Sequence, residues 1–171
     1  NNAGINRDAM LHKMTVEQWD QVIAVNLTGT FYCVQYAAQI MREKGSGAII
    51  NISSASWLGN IGQANYAASK AGVVGLTKTA CRELARKGVT CNAICPAYVM
   101  TPLVEKQIAA QAQTHGIPEE KVISDIMLSK AAIKKMVPAE NIGAIVKFLC
   151  SDAAASITGI ALPIDGGWTA N

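Results

Sequence analysis

The fold is decided by two nearby stretches, Ala48-Ile49-Ile50-Asn51-Ile52-Ser53-Ser54 and Tyr66-Ala67-Ala68-Ser69-Lys70. The apolar run of the first stretch is continuous instead of alternating, which is typical of a strand buried on both faces in a parallel sheet. Tyr66 and Lys70 are four residues apart, so on a helix they lie on one face, one turn from each other. The two stretches therefore predict a buried strand, a polar loop and a helix that carries a tyrosine beside a lysine.

The tyrosine and the lysine can form a proton-transfer pair. A free phenol titrates near ~10, and a nearby ammonium favours the phenolate and brings its pKa towards working pH. Tyr66 could then act as a general acid or base, while a nearby serine hydroxyl orients a substrate oxygen. The alternative is structural, with Tyr66 a half-buried aromatic ring and Lys70 a solvated charge. The rest of the chain has to decide between them.

Helices and strands alternate on both sides of these stretches. Thr15, with Gln18 three residues later, predicts a capping box and a helix that starts near residue 15. Asn26 interrupts the apolar face of that helix, so we predict a second helix over residues 28–44, ended by Gly45. The other predicted elements are a helix over 65–87, strands over 89–94 and 160–164, a broken helical segment over 101–137, and a helix that Pro138 opens at position N1.

This alternation implies an α/β fold with a doubly wound parallel sheet, whose ligand site lies beyond the carboxyl ends of the strands. The distinctive polar clusters of the chain fall at that edge, namely Asn2-Ala3-Gly4, Ser53-Ser54 and residues 96–101. Because these clusters converge on the same edge as Tyr66 and Lys70, the proton-transfer interpretation is favoured over the structural one.

Composition bounds the function further. The chain has 171 residues, half of them hydrophobic, and a formal charge of +3 from scattered lysines and arginines, so we expect one globular domain over 1–171 and no nucleic-acid partner. We expect no membrane partner, since no apolar stretch is long enough to span a bilayer. Five scattered cysteines predict reduced thiols in a cytoplasmic protein, with no disulfide frame and no metal site. His12 and His115 are expected on the surface, so no histidine competes as a base.

Six motifs resemble the short-chain dehydrogenase/reductase family, in its order and at its spacing along the whole chain. They are Asn1-Asn2-Ala3-Gly4, Val25-Asn26-Leu27-Thr28-Gly29, Asn51-Ile52-Ser53-Ser54, Tyr66-Ala67-Ala68-Ser69-Lys70, Asn92-Ala93-Ile94-Cys95-Pro96 and Asp165-Gly166-Gly167. The resemblance implies a Rossmann-like fold that carries NAD or NADP, and hydride transfer between nicotinamide and a carbonyl or secondary alcohol of a small-molecule substrate. It also implies a homotetramer.

The family's catalytic roles carry over to four residues. By the resemblance, Tyr66 is the acid/base, Lys70 lowers its pKa and holds the nicotinamide ribose, and Asn26 anchors a water of the proton relay. Ser54 is the expected substrate serine because it fills the last place of its motif, with Ser53 as the alternative.

The resemblance also implies a set of residues that contact the cofactor. The cofactor-binding set is Asn2, Ala3, Gly4, Tyr66, Lys70, Pro96, Val99 and Thr101, of which the first three would lie near the adenosine half. Thr101 could equally serve as the N-cap of a helix that starts at Pro102.

The chain departs from the family's pattern at its start. The Gly-rich turn that binds pyrophosphate is not in the sequence, which begins where the family's fourth strand ends. By comparison with a complete dinucleotide-binding domain, about 80 to 100 residues of the first βαβ units are absent, so residues 1–171 correspond to the C-terminal two-thirds of the fold. Either the sequence is a piece of a longer enzyme, or it is a non-catalytic subunit or remnant that cannot bind dinucleotide.

The two halves of the chain resemble different relatives. Residues 1–80, especially 62–66, are similar to 3-oxoacyl thioester reductases, whereas residues 101–168, from the start of the helical segment to the Asp-Gly-Gly-Trp stretch, are similar to bacterial D-3-hydroxybutyrate dehydrogenase. In the latter, a glutamine matching Gln107 binds the substrate carboxylate, but its histidine and lysine are replaced here by Ser56 and Gln63. A carboxylate without cationic partners is poorly compensated, so a neutral thioester is the expected substrate and free hydroxybutyrate the alternative. The substrate-binding set is Ser54, Ser56, Gln63, Tyr98 and Gln107, although Gln107 could instead be a surface residue.

Residues 101–137 are polar, predicted helical and interrupted by Gly116-Ile117-Pro118. We expect this segment to be a substrate lid, with an ordinary pair of surface helices as the alternative.

Overall fold

A computed structural model of the chain describes residues 1–170. Its centre is a three-stranded parallel sheet in the order β1-β2-β3, formed by β1 (Gly47–Ile52), β2 (Val89–Pro96) and β3 (Ala161–Ile164). The predicted α/β class with parallel strands is confirmed, and each predicted strand lies within one or two residues of its expected bounds.

The helices follow the predicted alternation. They are α1 (Val16–Ile23), α2 (Gly29–Lys44), α3 (Ala64–Leu84), α4 (Pro102–His115), α5 (Glu119–Lys121) and α6 (Ala139–Leu149). Short 3₁₀ turns lie at Leu11–Lys13, Ala55–Leu58, Ala85–Lys87 and Asp152–Ala154, and π-helical segments lie at Ala24–Thr28 and Val122–Met127.

Both faces of the sheet are covered, as the continuous apolar run predicts. Ile49 and Cys91 belong to a cluster that packs one face of β1 and β2 against α2 and α3. Ile50 and Ile94 point to the opposite face, where Leu149 and the apolar side of α6 cover them. A doubly wound arrangement therefore holds the carboxyl ends of the strands at one edge.

The first helical region contains one correct and one wrong prediction. The capping box is present: Thr15 Oγ1 accepts a hydrogen bond from the Gln18 amide at 3.2 Å, and Gln18 Oε1 accepts one from the Thr15 amide at 2.9 Å. The second helix lies within one residue of its predicted bounds, but the predicted break between the two helices is wrong, because the π-helical segment Ala24–Thr28 joins α1 to α2 with helical backbone at both junctions. Asn26 lies in this wider turn, fully buried.

Glycines end two of the helices as predicted. Gly45 closes α2 with φ of 75°, and Gly88 follows α3 and its final 3₁₀ turn with φ of 70°. The two turns touch, because a Cβ built on Gly88 would collide with the carbonyl oxygen of Gly45. This contact brings the start of β1 next to the start of β2.

The predicted helical segment over 101–137 is helical only in part. α4 ends at Gly116, and α5 continues into the π-helical segment, which ends at Met127. Residues 128–137 are irregular, so the prediction is wrong there. Lys134 Nζ donates to the Leu128 and Ser129 carbonyls at 2.9 and 2.7 Å, which holds the chain in this open path.

Two further facts complete the fold. Pro138 is the N-cap of α6, one residue before the predicted N1 position. Among residues 1–170, no helix is long and apolar enough to cross a membrane, and no group of three or more His, Cys, Asp or Glu side chains could hold a metal ion.

Candidate active site

The site lies where β1 and β2 end and α3 begins. β1 runs directly into Ser53 and Ser54, while α3 presents Tyr66 and Lys70 on its first two turns. Lys70 is 4% exposed, and its Nζ donates a hydrogen bond to the Ile52 carbonyl at 2.8 Å. The last residue of the strand therefore fixes the position of the ammonium.

Tyr66 and Lys70 lie side by side as their spacing predicts. The Lys70 ammonium is 5.5 Å from the centroid of the Tyr66 ring. Burial lowers the pKa of Lys70 to about 8. Burial also raises the pKa of the Tyr66 phenol above its ordinary value, with a smaller raising effect from the Asp8 charge. The expected lowering of the phenol pKa by Lys70 is therefore not the net effect, because loss of hydration opposes ionisation of the phenol.

The two serines have different surroundings. The Ser53 hydroxyl is buried and donates to the Lys70 backbone carbonyl at 2.9 Å, which ties the end of β1 to α3. The Ser54 hydroxyl faces Tyr66, and hydrogen bonding between them acts to lower the phenol pKa against the effect of burial. Ser54 also accepts a hydrogen bond from the Ser56 amide at 3.1 Å. The geometry thus brings Ser54 next to Tyr66 and turns Ser53 away.

Asn26 holds the polar segment at the start of the chain. Its Oδ1 accepts from the Ile5 amide at 2.8 Å and its Nδ2 donates to the Ile5 carbonyl at 2.9 Å. The same Nδ2 is 3.3 Å from Ser69 Oγ on α3. A Cβ on Gly4 would lie 3.5 Å from Asn26 Oδ1 and 3.7 Å from Lys70 Nζ. Asn26 therefore positions Gly4 beside the lysine.

A cleft of about 730 Å³ opens beside Lys70 and runs along β1 towards α6. It is lined by Tyr66, Lys70 and five more of the predicted cofactor-binding residues: Asn2, Gly4, Pro96, Val99 and Thr101. Ala3 is not among the lining residues. Thr101 also caps α4, since its hydroxyl accepts a hydrogen bond from the Val104 amide at 3.4 Å, so both interpretations of this residue are compatible with the structure.

A smaller pocket of about 70 Å³ lies on the other side of Tyr66. Tyr66 and Ser54 line both spaces, so these two residues stand at the junction. The pocket brings together all of the predicted substrate-binding residues, Ser54, Ser56, Gln63, Tyr98 and Gln107. A third cavity of about 430 Å³ lies at the opposite end of the strands, around Gly47 and Val89, and none of the predicted residues lines it.

Sequence reasoning missed several residues around the small pocket. Asn6, Ala55, Ala97, Val104 and Trp168 also line it. Trp168 could have been suspected, because it directly follows the Asp165-Gly166-Gly167 turn at the carboxyl end of β3.

Asp8 was also missed, and no sequence signal marks it. Its carboxylate accepts hydrogen bonds from Gln63 Nε2 at 3.2 and 3.3 Å and from Gln107 Nε2 at 3.1 Å. Both glutamines line the small pocket, so Asp8 joins its two sides.

Comparison with known proteins finds relatives over almost the whole chain. Residues 1–169 match the family model described as "Enoyl-(Acyl carrier protein) reductase". The chain is 48% identical to a D-beta-hydroxybutyrate dehydrogenase of Rhizobium meliloti, over 99% of the chain and 66% of that relative. It is 44% identical to a (3R)-3-hydroxyacyl-CoA dehydrogenase of Rattus norvegicus, over 96% and 60%. It is 42% identical to a 3-oxoacyl-[acyl-carrier-protein] reductase of Staphylococcus epidermidis, over 98% and 64%. The chain thus spans slightly less than two thirds of the length of these relatives.

Proposed function

The chain belongs to the short-chain dehydrogenase/reductase family, and from that premise we propose that it carries the catalytic residues of an NAD- or NADP-dependent oxidoreductase. The reaction interconverts a ketone and a secondary alcohol on a small 3-oxo or 3-hydroxyacyl compound. The observation that carries this proposal is the position of Ser54 and Tyr66 at the junction of the large cleft and the small pocket, with Lys70 one helical turn behind.

The large cleft fits the nicotinamide half of the cofactor, which supplies or accepts the hydride when bound. Gly4 leaves free the space beside Lys70 Nζ that a Cβ would fill. An ammonium has three N–H donors, and Ile52 takes one, so Lys70 keeps donors for ribose hydroxyls. Asn2, Pro96, Val99 and Thr101 would form the rest of this wall.

The residues of the chain itself transfer the proton. Ser54 donates a hydrogen bond to the substrate oxygen and holds it next to Tyr66. In ketone reduction, Tyr66 gives its phenolic proton to that oxygen as negative charge develops there. Burial raises the pKa of Tyr66, so the phenol is protonated at rest and ready to act as the acid. In the reverse direction the phenolate has to form, and the nearby Lys70 ammonium stabilises it.

Asn26 acts through other residues. Both polar groups of its side chain bond to Ile5, so we assign it the role of positioning Gly4 and the neighbouring segment. A water of the proton relay that is anchored by Asn26 has to use the hydrogen-bonding capacity that the bonds to Ile5 leave on the Asn26 side chain.

We favour a 3-oxoacyl thioester as the substrate. The small pocket is lined by neutral side chains, and Ser56 and Gln63 bond to each other at 3.2 Å. Such a pocket suits the uncharged acyl part of a thioester, while the long carrier portion would extend outwards. The names of the rat and staphylococcal relatives are consistent with this substrate class.

The second candidate is D-3-hydroxybutyrate dehydrogenase. It is favoured by the 48% identity to the Rhizobium relative and by Gln107, which lines the small pocket as a carboxylate-binding residue would. Under either candidate, α4 forms one side of the small pocket through Val104 and Gln107. We therefore retain the proposal that residues 101–137 are a substrate lid.

We also propose a cytoplasmic homotetramer. One side of α2 exposes a row of large side chains, Phe31, Tyr32, Tyr36 and Ile40, between 42% and 69% exposed. A row of this kind is typical of a surface that packs on another copy. Size-exclusion chromatography with light scattering would test the assembly.

The activity is tested on the longest natural form of the protein. Nicotinamide absorbance is followed while acetoacetyl thioester and acetoacetate are offered separately with each reduced cofactor. Replacing Tyr66 by Phe should lower turnover by about 10²-fold or more, because the proton donor is lost. Tyr36→Phe removes a hydroxyl from α2, away from both spaces, and keeps the aromatic ring of the proposed assembly surface, so its turnover should be near that of the wild type. Near wild-type turnover of Tyr66→Phe would refute the assignment.

A further inference from the structure

We propose that Asp8 determines specificity by substrate charge, excluding free carboxylates from the small pocket and thereby favouring substrates whose acyl end is uncharged. This inference deepens the proposed function and rests on it. It concerns a residue that neither the tyrosine mechanism nor the sequence motifs involve.

Asp8 is held in place from both sides. The Arg7 carbonyl accepts a hydrogen bond from Asn65 Nδ2 at 3.0 Å, and the Ala9 amide donates to the Gly62 carbonyl at 2.9 Å. Asn65 is fully buried at the start of α3. Asp8 itself is exposed at the rim of the pocket, but its backbone is bonded to the structure on either side, so its carboxylate has a defined position.

The Asp8 carboxylate accepts hydrogen bonds from the amide groups that a substrate carboxylate would need as donors. Gln63 Nε2 and Gln107 Nε2 both donate to it, at distances of 3.1 to 3.3 Å. The orientation of the Gln63 amide is fixed, because its Oε1 accepts from Ser56 Oγ at 3.2 Å and from Asn60 Nδ2 at 2.9 Å. The NH₂ group of Gln63 is thereby turned to Asp8. Asp8 thus occupies the place on Gln107 that a substrate carboxylate would otherwise take.

The charge of Asp8 is not neutralised by these partners. The side chains that donate to it are neutral amides, including Asn6 Nδ2 at 3.2 Å. The neighbouring Arg7 guanidinium is turned instead to Gln21 Oε1 and the Asn6 carbonyl. Among the described residues, the lining of the small pocket contains no lysine, arginine or histidine.

The field of Asp8 reaches the pocket. After burial, its charge is one of the causes that raise the pKa of Tyr66, and it acts in the same direction on Tyr98. A substrate carboxylate bound to the same amides would be held close to a like charge, without a cation between them. The repulsion is moderate, since Asp8 is exposed and water screens it.

The test compares two substrates that differ at one end, where one carries a carboxylate charge and the other a neutral methyl ester. Acetoacetate and its methyl ester are reduced by the longest natural form of the protein with its preferred reduced cofactor. In the wild type, kcat/KM should favour the ester. Asp8→Asn keeps a side-chain oxygen for the glutamines but removes the charge, so we expect kcat/KM for acetoacetate to rise about fivefold or more, with the ester little changed. Asp20→Asn removes the same charge from exposed α1 and should leave the ratio as it is.

Two outcomes would overturn the inference. In the first, Asp8→Asn lowers kcat/KM for acetoacetate and for the ester equally and keeps their ratio, which would mean that Asp8 only supports the rim of the small pocket. The second measurement is calorimetric titration of acetoacetate into the cofactor-bound proteins, where the variant should bind about fivefold more tightly. Unchanged affinity refutes the charge selection even if turnover is absent. Failure of the wild type to reduce either substrate would refute the proposed function instead, and the affinity ratio would still decide the role of Asp8.

Discussion

Replacing Lys70 by methionine tests whether the active-site lysine is held at a cost in stability. Burial lowers the pKa of Lys70 from 10.5 to about 8. The unfolded chain therefore binds more protons at this residue than the folded chain, and the contribution of Lys70 to stability should rise with pH across this window. Cys91 and Cys95, whose thiol pKa values are raised by burial, act in the opposite direction in both proteins and cancel in the difference. With these two pKa values, the lowered pKa of Lys70 reduces the free energy of unfolding by about 3 kcal/mol near pH 7 and by about 1.5 kcal/mol near pH 9.5. Because methionine carries no charge, the stability difference between variant and wild type should shrink by about 1.5 to 2 kcal/mol over that interval.

The assay is urea unfolding of both proteins, without cofactor, at several values between about pH 7 and about pH 9.5. The window ends there because phenols begin to ionise above it, and Tyr66, whose pKa is raised, then acts in the opposite direction. Lys78→Met is the control, since Lys78 is exposed on the same helix and its charge remains hydrated. If the free energies of unfolding of Lys70→Met and the wild type run parallel with pH, the lysine is not desolvated as described. Turnover by Lys70→Met should be lost in either case.

Three other predictions concern single substitutions. Asn26→Ala should lower the free energy of unfolding by about 2 kcal/mol, because both backbone groups of Ile5 lose their partners, and chemical denaturation measures this. Ser54→Ala should reduce kcat more than tenfold with stability nearly unchanged. Ser53→Ala should mainly lower the melting temperature, because the Ser53 hydroxyl bonds inside the structure. The reverse pattern would contradict the assignment of the substrate serine. Gly88→Ala should destabilise the fold by more than about 2 kcal/mol, because the added Cβ would collide with the Gly45 backbone. This exceeds the ~1 kcal/mol expected from positive φ alone. Gly116→Ala, also at positive φ but with open space around it, is the control, and equal losses of stability in the two variants would refute the close contact.

The sheet and the pairing of Tyr66 with Lys70 could be predicted because both depend on local pattern. Ile49, Ile50 and Ile52 form a strand whose two faces are both apolar, and a glycine or proline marks the end of each neighbouring element. Four-residue spacing on a helix is then sufficient to bring the phenol and the ammonium together.

Other features depend on partners distant in the chain. Asp8 lies in an irregular segment whose path is fixed by Asn26 and Asn65, 18 and 57 residues later, and nothing near Asp8 indicates that it meets Gln107. The open path of residues 128–137 depends in part on the Ile133 amide, which donates to the Gly166 carbonyl at 2.8 Å. Local propensity favours a helix there, and the tertiary contact prevails.

The direction of the Tyr66 pKa shift could not be predicted either. From spacing alone, Lys70 is a cation next to a phenol, which lowers the pKa. Only the folded structure reveals how little water reaches the two groups, and the loss of hydration opposes ionisation of both.

The π-helical turn at Ala24–Thr28 sets the rotational phase between α1 and α2. Each residue of an ordinary helix turns the chain by about 100°, and a π turn accommodates one additional residue. Deleting a single residue from this turn would let the helix become regular, but everything before it would rotate by about that angle relative to α2. Either the Asn26 side chain would lose its hydrogen bonds to Ile5, or the apolar side of α1 would lose its packing against α3. The chain length of this one turn is therefore as tightly constrained as the identity of Asn26, and single-residue indels here should be far less tolerated than substitutions of exposed Val25.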